Sequence, residues 1–437
     1  MKKLAKIFCL MACLAGFSLF GGFVLAAQSS TALEKAGTSE AVQTSAAALA
    51  FPSDSTALYP FYQHLDSLRK GERSRLNILH IGASHVQAGV FSHRMRWHFA
   101  QLGDTSALPS RGLIFPYSAA RTNNPPYYMV SSHGQWKTTR NVYKEHDVPL
   151  GMSGIAISTQ DTSSTLFLRL NRDSSLVYHF NRIRLLTNEP SPSFIPCVDD
   201  SILGTYDRDS RTWTFHLLQE KDSFSLSFIE NTFVKEFMEM QRLPFMPEDS
   251  AYFQLNGILL DNDNPGVCYH AIGVNGASVH DYIRCPHFAR DMKLLQPDLV
   301  IFGIGINDAT KPEFTKDLFV SQYDTLITYL RDANPALSMI FMTNNDSYIR
   351  RKKPNEKALV ARDAFVELAE KHQAALWDVF DMMGGLGSAY HWYQNGLMKP
   401  DLVHFSNQGY EYLGDCLFEA IMQDYQHYQH YQKQKEE

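Results

Sequence analysis

From residue 278 onward the chain alternates between two textures, and that alternation limits what it can fold into. "DLVIFGIG" (298–305), "LSMIFMT" (337–343) and "AALWDVF" (374–380) are short apolar runs of strand length. Between them lie "DLFVSQYDTLITYLRDANP" and "KALVARDAFVELAEKH", whose apolar residues recur at helical spacing. "SVHDYIRCPHFARDMKLLQP" reads as a helix leading into the first of these strands. The closing helix "NQGYEYLGDCLFEAIMQDY" places Tyr410, Leu413, Leu417 and Ile421 on one stripe. Strands that alternate with helices form a parallel sheet covered on both faces, because each parallel pairing needs a crossover. Functional groups of such sheets gather outside the carboxyl ends of the strands.

The same unit occurs once near the start of the folded part. A helix is expected over "LYPFYQHLDSLRKG", a strand ends in "ILHIGASH", and a second helix follows in "HVQAGVFSHRMRWHFAQLG". Between these two α/β portions the texture changes. "TLFLRL", "LVYHFNRIRLL", "TWTFHLL" and "SFSLSFI" are short, often alternating runs separated by turn clusters such as "NRDSS" and "DRDSRT". They predict an antiparallel β-sandwich or barrel, with "TFVKEFMEMQ" as the main helical exception. A chain of 437 residues is long for one core, so two domains are the natural division. The expected order is an α/β domain over 55–104, an inserted β-rich domain over 105–266, and the rest of the α/β domain over 267–425. Residues 426–437 are then a polar, solvated tail.

The first residues have another character. Lys2, Lys3 and Lys6 precede "IFCLMACLAGFSLFGGFVL", and Ala26 and Ala27 lie at a small-residue exit. This pattern predicts a secretory signal over 1–27, with an uncleaved membrane anchor or a lipoprotein at Cys13 as alternatives. Residues 28–54 are rich in Ala, Ser and Thr and read as a tether. Export is expected, with no stable membrane span after signal cleavage; the resemblance carried by motifs further along the chain implies the periplasm or cell envelope of a bacterium. Cys197, Cys268, Cys285 and Cys416 remain beyond the signal, either as up to two disulfides or as buried thiols. A formal charge of −6 with mixed signs excludes a basic nucleic-acid-binding face. "DNDNPG" (261–266) starts like a calcium loop, but Pro265 replaces a ligand and Ile272 stands where a carboxylate is needed, so it is a turn.

Ser84 lies between a strand and a helix N-terminus, where backbone N–H groups are free to face negative charge. "KPDLVHFSNQGY" supplies Asp401 and His404 three positions apart, a spacing that lets the carboxylate orient the imidazole. "FGIGIND" supplies the Asn307 amide, and "GVNGASV" supplies Gly276, where a backbone N–H can approach an oxyanion. Each also has an ordinary structural reading as a turn or cap residue.

In this order "IGASH", "VNGAS", "GIND" and "DLVHF" resemble the four blocks of the SGNH hydrolases, also called GDSL esterases. The resemblance implies a flavodoxin-like three-layer α/β/α domain with an inserted antiparallel β-sandwich. It implies Ser84 as nucleophile, His404 as base and Asp401 as its orienting carboxylate. The oxyanion donors would be the N–H groups of Ser84 and Gly276 and the amide of Asn307. The family usually has Asp before the nucleophile, where this chain has Ala83; His85 then fits a role in fixing the turn by a hydrogen bond. An export signal and a β-insert between the first two blocks resemble the bacterial peptidoglycan O-acetylesterases, which carry a carbohydrate-binding-module-like insert there. The implied activity is hydrolysis of O-acetyl esters on a cell-envelope glycan, without cofactor or metal. Trp136, Trp213, Tyr127 and Tyr128 are candidates for sugar stacking, or else core. Acyl transfer, lipase or thioesterase chemistry, and non-catalytic glycan binding by a degenerate site are the competing readings.

Overall fold

The computed structural model describes residues 48–172, 175–229 and 251–437. The signal, most of the tether and the helix expected at "TFVKEFMEMQ" lie outside the described residues. The central sheet contains β1 (Arg75–Gly82), β2 (Gly266–Gly273), β3 (Leu299–Gly303), β4 (Ser338–Met342) and β5 (Ala375–Trp377). All four pairings are parallel, and the strand order is β2-β1-β3-β4-β5. This is the flavodoxin-like order, whose topological switch falls beside β1.

Alternation along the strands decides which layer covers which face. Leu76 and Ile78 of β1, Leu299 and Ile301 of β3, and Ile340 of β4 point to one side. There they meet α1 (Tyr59–Arg69), α3 (Val90–Ala100) and α8 (Asn407–Glu436). Leu79 and Ile81, Val300 and Phe302, and Met339 and Phe341 point to the other side. That face is covered by α5 (Phe288–Leu295), α6 (Lys316–Arg331) and α7 (Lys357–His372). Both faces of a parallel sheet are thereby removed from water, which is why its strands read as unbroken apolar runs.

Local signals place the helices. Pro60 stands in the first turn of α1, where its missing N–H is not needed. Thr315 accepts from the Leu318 N–H at the start of α6, and Ser406 from the Gly409 N–H at the start of α8. The helix expected over 278–297 is two helices, α4 (Val279–Ile283) and α5. Pro286 cannot donate to a helical ladder, and the His287 N–H instead reaches the Leu150 carbonyl of the insert at 3.0 Å. The closing helix runs on to Glu436 rather than fraying after Tyr425. Tyr425 and Tyr428 are buried, packing with Tyr62 and Tyr59, so the last turns carry an apolar stripe. The end of the tether is also docked: Ala50 forms an antiparallel bridge with Leu376 on the edge strand β5.

The insert contains a seven-stranded and a five-stranded sheet whose pairings are all antiparallel. Phe180 and Phe253 of the first sheet meet Phe224 and Phe228 of the second, so the two pack face to face as a sandwich. Trp136, Trp213 and Tyr128 are buried in this core and offer no face to a sugar; Tyr127 is half-buried and stacks on His93 at 3.6 Å. Cys197, Cys268, Cys285 and Cys416 are all free and buried. No helix among the described residues is long and apolar enough to cross a membrane.

Candidate active site

β1 ends at Gly82, and Ala83 leads directly into the four-residue helix α2 (Ser84–Gln87). Glycine is required at Gly82, since a Cβ would lie 2.2 Å from Val86 Cγ2. The first helical bond joins the Gln87 N–H to the Ala83 carbonyl, so the Ser84 N–H precedes the helix's own ladder. Ser84 Oγ lies 2.8 Å from His404 Nε2 across 320 positions of sequence. His404 Nδ1 lies 2.9 Å from Asp401 Oδ2.

The tautomer follows from these partners. An ionised carboxylate only accepts, so the ring proton sits on Nδ1 and Nε2 is left to take the Ser84 proton. Asp401 Oδ1 accepts from the N–H groups of Val403 and His404, each at 2.9 Å. Burial pushes this carboxyl up, but the bonds from the His404 N–H and ring and from Val403 outweigh it and hold it below the usual range. The loop that presents the pair turns at Leu402, whose φ of +56° is unusual for a bulky residue. Two bonds hold it there: Leu402 N–H to the Lys399 carbonyl, and Tyr348 N–H to the Leu402 carbonyl, both 3.0 Å.

The other two candidates are linked through Ala277. Gly276 has a φ of +84°, and a Cβ there would find only Val142 of the insert, at 4.0 Å. Backbone conformation, not crowding, therefore calls for glycine. The Asn307 amide nitrogen donates to the Ala277 carbonyl at 2.9 Å, which anchors one N–H beside Gly276 and leaves the second unused by that bond. Asn307 stands at the cap position of a short 3₁₀ turn but makes no capping bond. The Gly276 loop is joined to α2 through the Asn275 N–H, which donates to Gln87 Oε1 at 2.8 Å. Gln87 in turn donates to Thr122 and Asn123 of the insert, so the insert borders this rim of the sheet.

Three neighbours escaped the sequence reading. Tyr410 was legible only as core, yet its hydroxyl lies 2.9 Å from His85 Nδ1. His85 therefore makes a hydrogen bond as expected, but to the last helix rather than within its own turn. Burial, with the His404 charge adding, lowers His85 to about 3. Asp308 is buried beside α4, accepts from the Val279 N–H, and is pushed up to about 7 by burial against the pull of Lys311. Lys311 donates to Ser278 Oγ at 2.8 Å. Only "GIND" itself hinted at Asp308, as the residue after Asn307. Among the described residues no group of three His, Cys, Asp or Glu side chains is arranged to hold a metal ion.

The sequence model of the GDSL-like lipase/acylhydrolase family matches residues 254–412. Residues 254–412, which carry the blocks around Gly276, Asn307 and His404, belong to the GDSL-like lipase/acylhydrolase family. The match stops short of Ser84, because the insert parts the first block from the rest in sequence while the sheet reunites them in space. No curated protein matches the chain by sequence. Among solved structures it is similar to a peptidoglycan O-acetylesterase, at 18% identity and a TM-score of 0.69, over 86% of this chain and 99% of the other. That likeness extends through the insert and shows the shared fold. An acetyl xylan esterase aligns at 18% identity and a TM-score of 0.30, over 44% of this chain and 89% of the other. A GDSL-like lipase from Bacteroides thetaiotaomicron aligns at 16% identity and a TM-score of 0.28, over 36% and 76%. Neither of these adds weight to the fold assignment.

Proposed function

We propose that the whole chain, Ser84 included, is an SGNH hydrolase and an exported serine esterase that removes O-acetyl groups from a cell-envelope glycan, with peptidoglycan as the substrate. The observation that carries the reading is the continuous hydrogen-bonded series Ser84–His404–Asp401 at the carboxyl end of β1. Ser84 Oγ attacks the acetyl carbonyl while His404 Nε2 takes its proton. The tetrahedral oxyanion is met by the N–H groups of Ser84 and Gly276 and by the free N–H of the Asn307 amide. His404 returns the proton to the departing sugar oxygen, leaving an acetyl-serine. It then draws a proton from water, whose oxygen attacks the acetyl carbon, and acetate leaves with Ser84 restored. Asp401 holds the ring in the required tautomer and steadies the imidazolium.

The choice of glycan is supported by the shared two-domain fold with a peptidoglycan O-acetylesterase and by an insert that borders the site. An acetyl group needs little acyl space, whereas a polymer needs surface beside the nucleophile. Acetate release from O-acetylated peptidoglycan, measured against an acetylated plant xylan, tests the assignment. Faster release from peptidoglycan is expected; equal or faster release from xylan overturns it. Adding an acceptor glycan should leave acetate yield unchanged if water is the acyl acceptor. Export predicts a mature chain beginning at Ala27 or Gln28, read by amino-terminal sequencing.

Asn307→Ala should lower kcat by about 10²–10³-fold with little change in KM, as for loss of one oxyanion donor. An unchanged kcat would remove Asn307 from the oxyanion site.

A further inference from the structure

At the amino-terminal end of β1, away from Ser84, an open cleft of about 300 Å³ lies between the central sheet and the insert. Its wall carries the guanidinium groups of Arg75, Arg182 and Arg184 against the carboxylates of Asp261 and Asp263. Three positive charges face two negative ones. Asp261 is consumed by its neighbours: Arg184 donates to its Oδ2 at 2.7 and 3.1 Å, and Arg75 lies 3.6 Å from its Oδ1. Arg182 makes only loose ion pairs, 3.9 Å to Asp261 and 3.5 Å to Asp263, whose side chain is 81% exposed.

A second observation points the same way. His270, also on this wall, is 5% exposed, and its Nδ1 accepts from the Leu113 N–H at 3.1 Å. The neutral ring must then carry its proton on Nε2, and that N–H has no acceptor among the described residues. A buried donor without a partner is uncommon and costly in a native fold. The cleft thus has surplus positive charge, and its wall holds a buried donor without a partner. A ligand that only accepts and is negatively charged complements both, and the volume admits a single sugar.

We propose that this cleft binds a carboxylate-bearing sugar of the substrate polymer. The polymer part of this assignment rests on the function proposed above. β1 rises about 3.3 Å per residue, and the lining runs from Arg75 to the level of Leu79, the partner of His270, so the cleft lies roughly 10–23 Å along the strand from Gly82. The acidic sugar held here is therefore not the one that loses its acetyl group. It secures a distant part of the same strand.

Calorimetric titration of the full chain with N-acetylmuramic acid, N-acetylglucosamine and inorganic phosphate tests the site. The sugar acid should bind at least about tenfold more tightly than its neutral counterpart. Arg182→Ala should weaken it about tenfold or more with the thermal midpoint retained. Asp263→Asn, at an exposed position, should tighten it severalfold by leaving more net positive charge. No binding of the sugar acid, or the same affinity in both variants as in the parent, overturns the site. Phosphate binding as tightly as the sugar acid overturns the sugar assignment. Calorimetry reads no turnover, so its failure leaves the esterase reading standing, and an inactive esterase would leave a measured cleft affinity intact.

Discussion

Ser84→Ala is expected to lower kcat for acetate release by about 10⁴-fold or more, on O-acetylated peptidoglycan and on an aryl acetate alike. The hydroxyl that Nε2 of His404 contacts at 2.8 Å is removed, and no covalent intermediate can form. The Asn307 amide and the Gly276 loop would remain, so residual turnover above the uncatalysed rate is expected from polarisation of the carbonyl alone. Asp401→Asn should give a smaller but still large loss. An amide at that place can donate as well as accept, and the imidazole can then hold its proton on the wrong nitrogen. Mass spectrometry of the parent during turnover should find an acetyl group on Ser84 and none on the variant. A Ser84→Ala protein as fast as the parent would end the serine-nucleophile mechanism.

The second large effect concerns stability. The protein should lose stability as pH falls from 6.5 toward 4.5. His80, His85 and His270 are each lowered to about 3. Burial is the main cause at all three, with Arg96 adding at His80, the His404 charge adding at His85, and the Asp261 carboxylate opposing at His270. The unfolded chain takes up protons at these rings near pH 6.5, while the folded chain refuses them until about pH 3. Stability is therefore full above the unfolded value and is lost as pH drops through that window. Two pH units correspond to about 3 kcal/mol for each ring, or about 8 kcal/mol for three. Asp308 acts in the opposite sense. Its folded value of about 7 means that the native state gains a proton before the unfolded one, returning about 3 kcal/mol over the same range. Asp291, Asp346, Glu419 and Asp424, also raised by burial, oppose the histidines in the same sense, so the histidine total of about 8 kcal/mol is the upper bound of the loss. Urea midpoints measured between pH 7 and 4.5 should fall steeply. His80→Asn, which replaces the ring nitrogen that meets the Tyr269 hydroxyl at 3.0 Å with a non-titrating amide, should remove about 3 kcal/mol of this pH dependence. The same pH slope in His80→Asn as in the parent would contradict the burial of that ring.

The sequence and the structure part company in instructive places. Alternating apolar runs were enough to identify the parallel sheet, because a two-sided parallel strand has no polar face to disguise it. The antiparallel insert was legible for the opposite reason, since turn clusters and two-residue alternation mark each short strand. The break between α4 and α5 was missed, although Pro286 stands in the sequence, because helical spacing continues across it. What settles the break is the Leu150 carbonyl, which arrives from the insert to receive the His287 N–H. The tail beyond Tyr425 looked polar because Gln, His and Lys dominate it. Its tyrosines at 425 and 428 become core only because α1 passes beside them.

The candidate site divides in the same way. Ser84, Gly276, Asn307, Asp401 and His404 are visible in the chain because each sits at the end of an element, where sheet topology places functional groups. Asp401 and His404 are neighbours by sequence, so their pairing is a local matter of a three-residue spacing. The sequence by itself thus determined the strand ends and the chemistry they carry. Only the tertiary structure decided which ends meet, what Tyr410, Gln87 and Asp308 touch, and where surplus charge is left uncompensated beside His270. Those outcomes depend on side chains hundreds of positions apart arriving within a few ångströms, and no local spacing encodes such a distance.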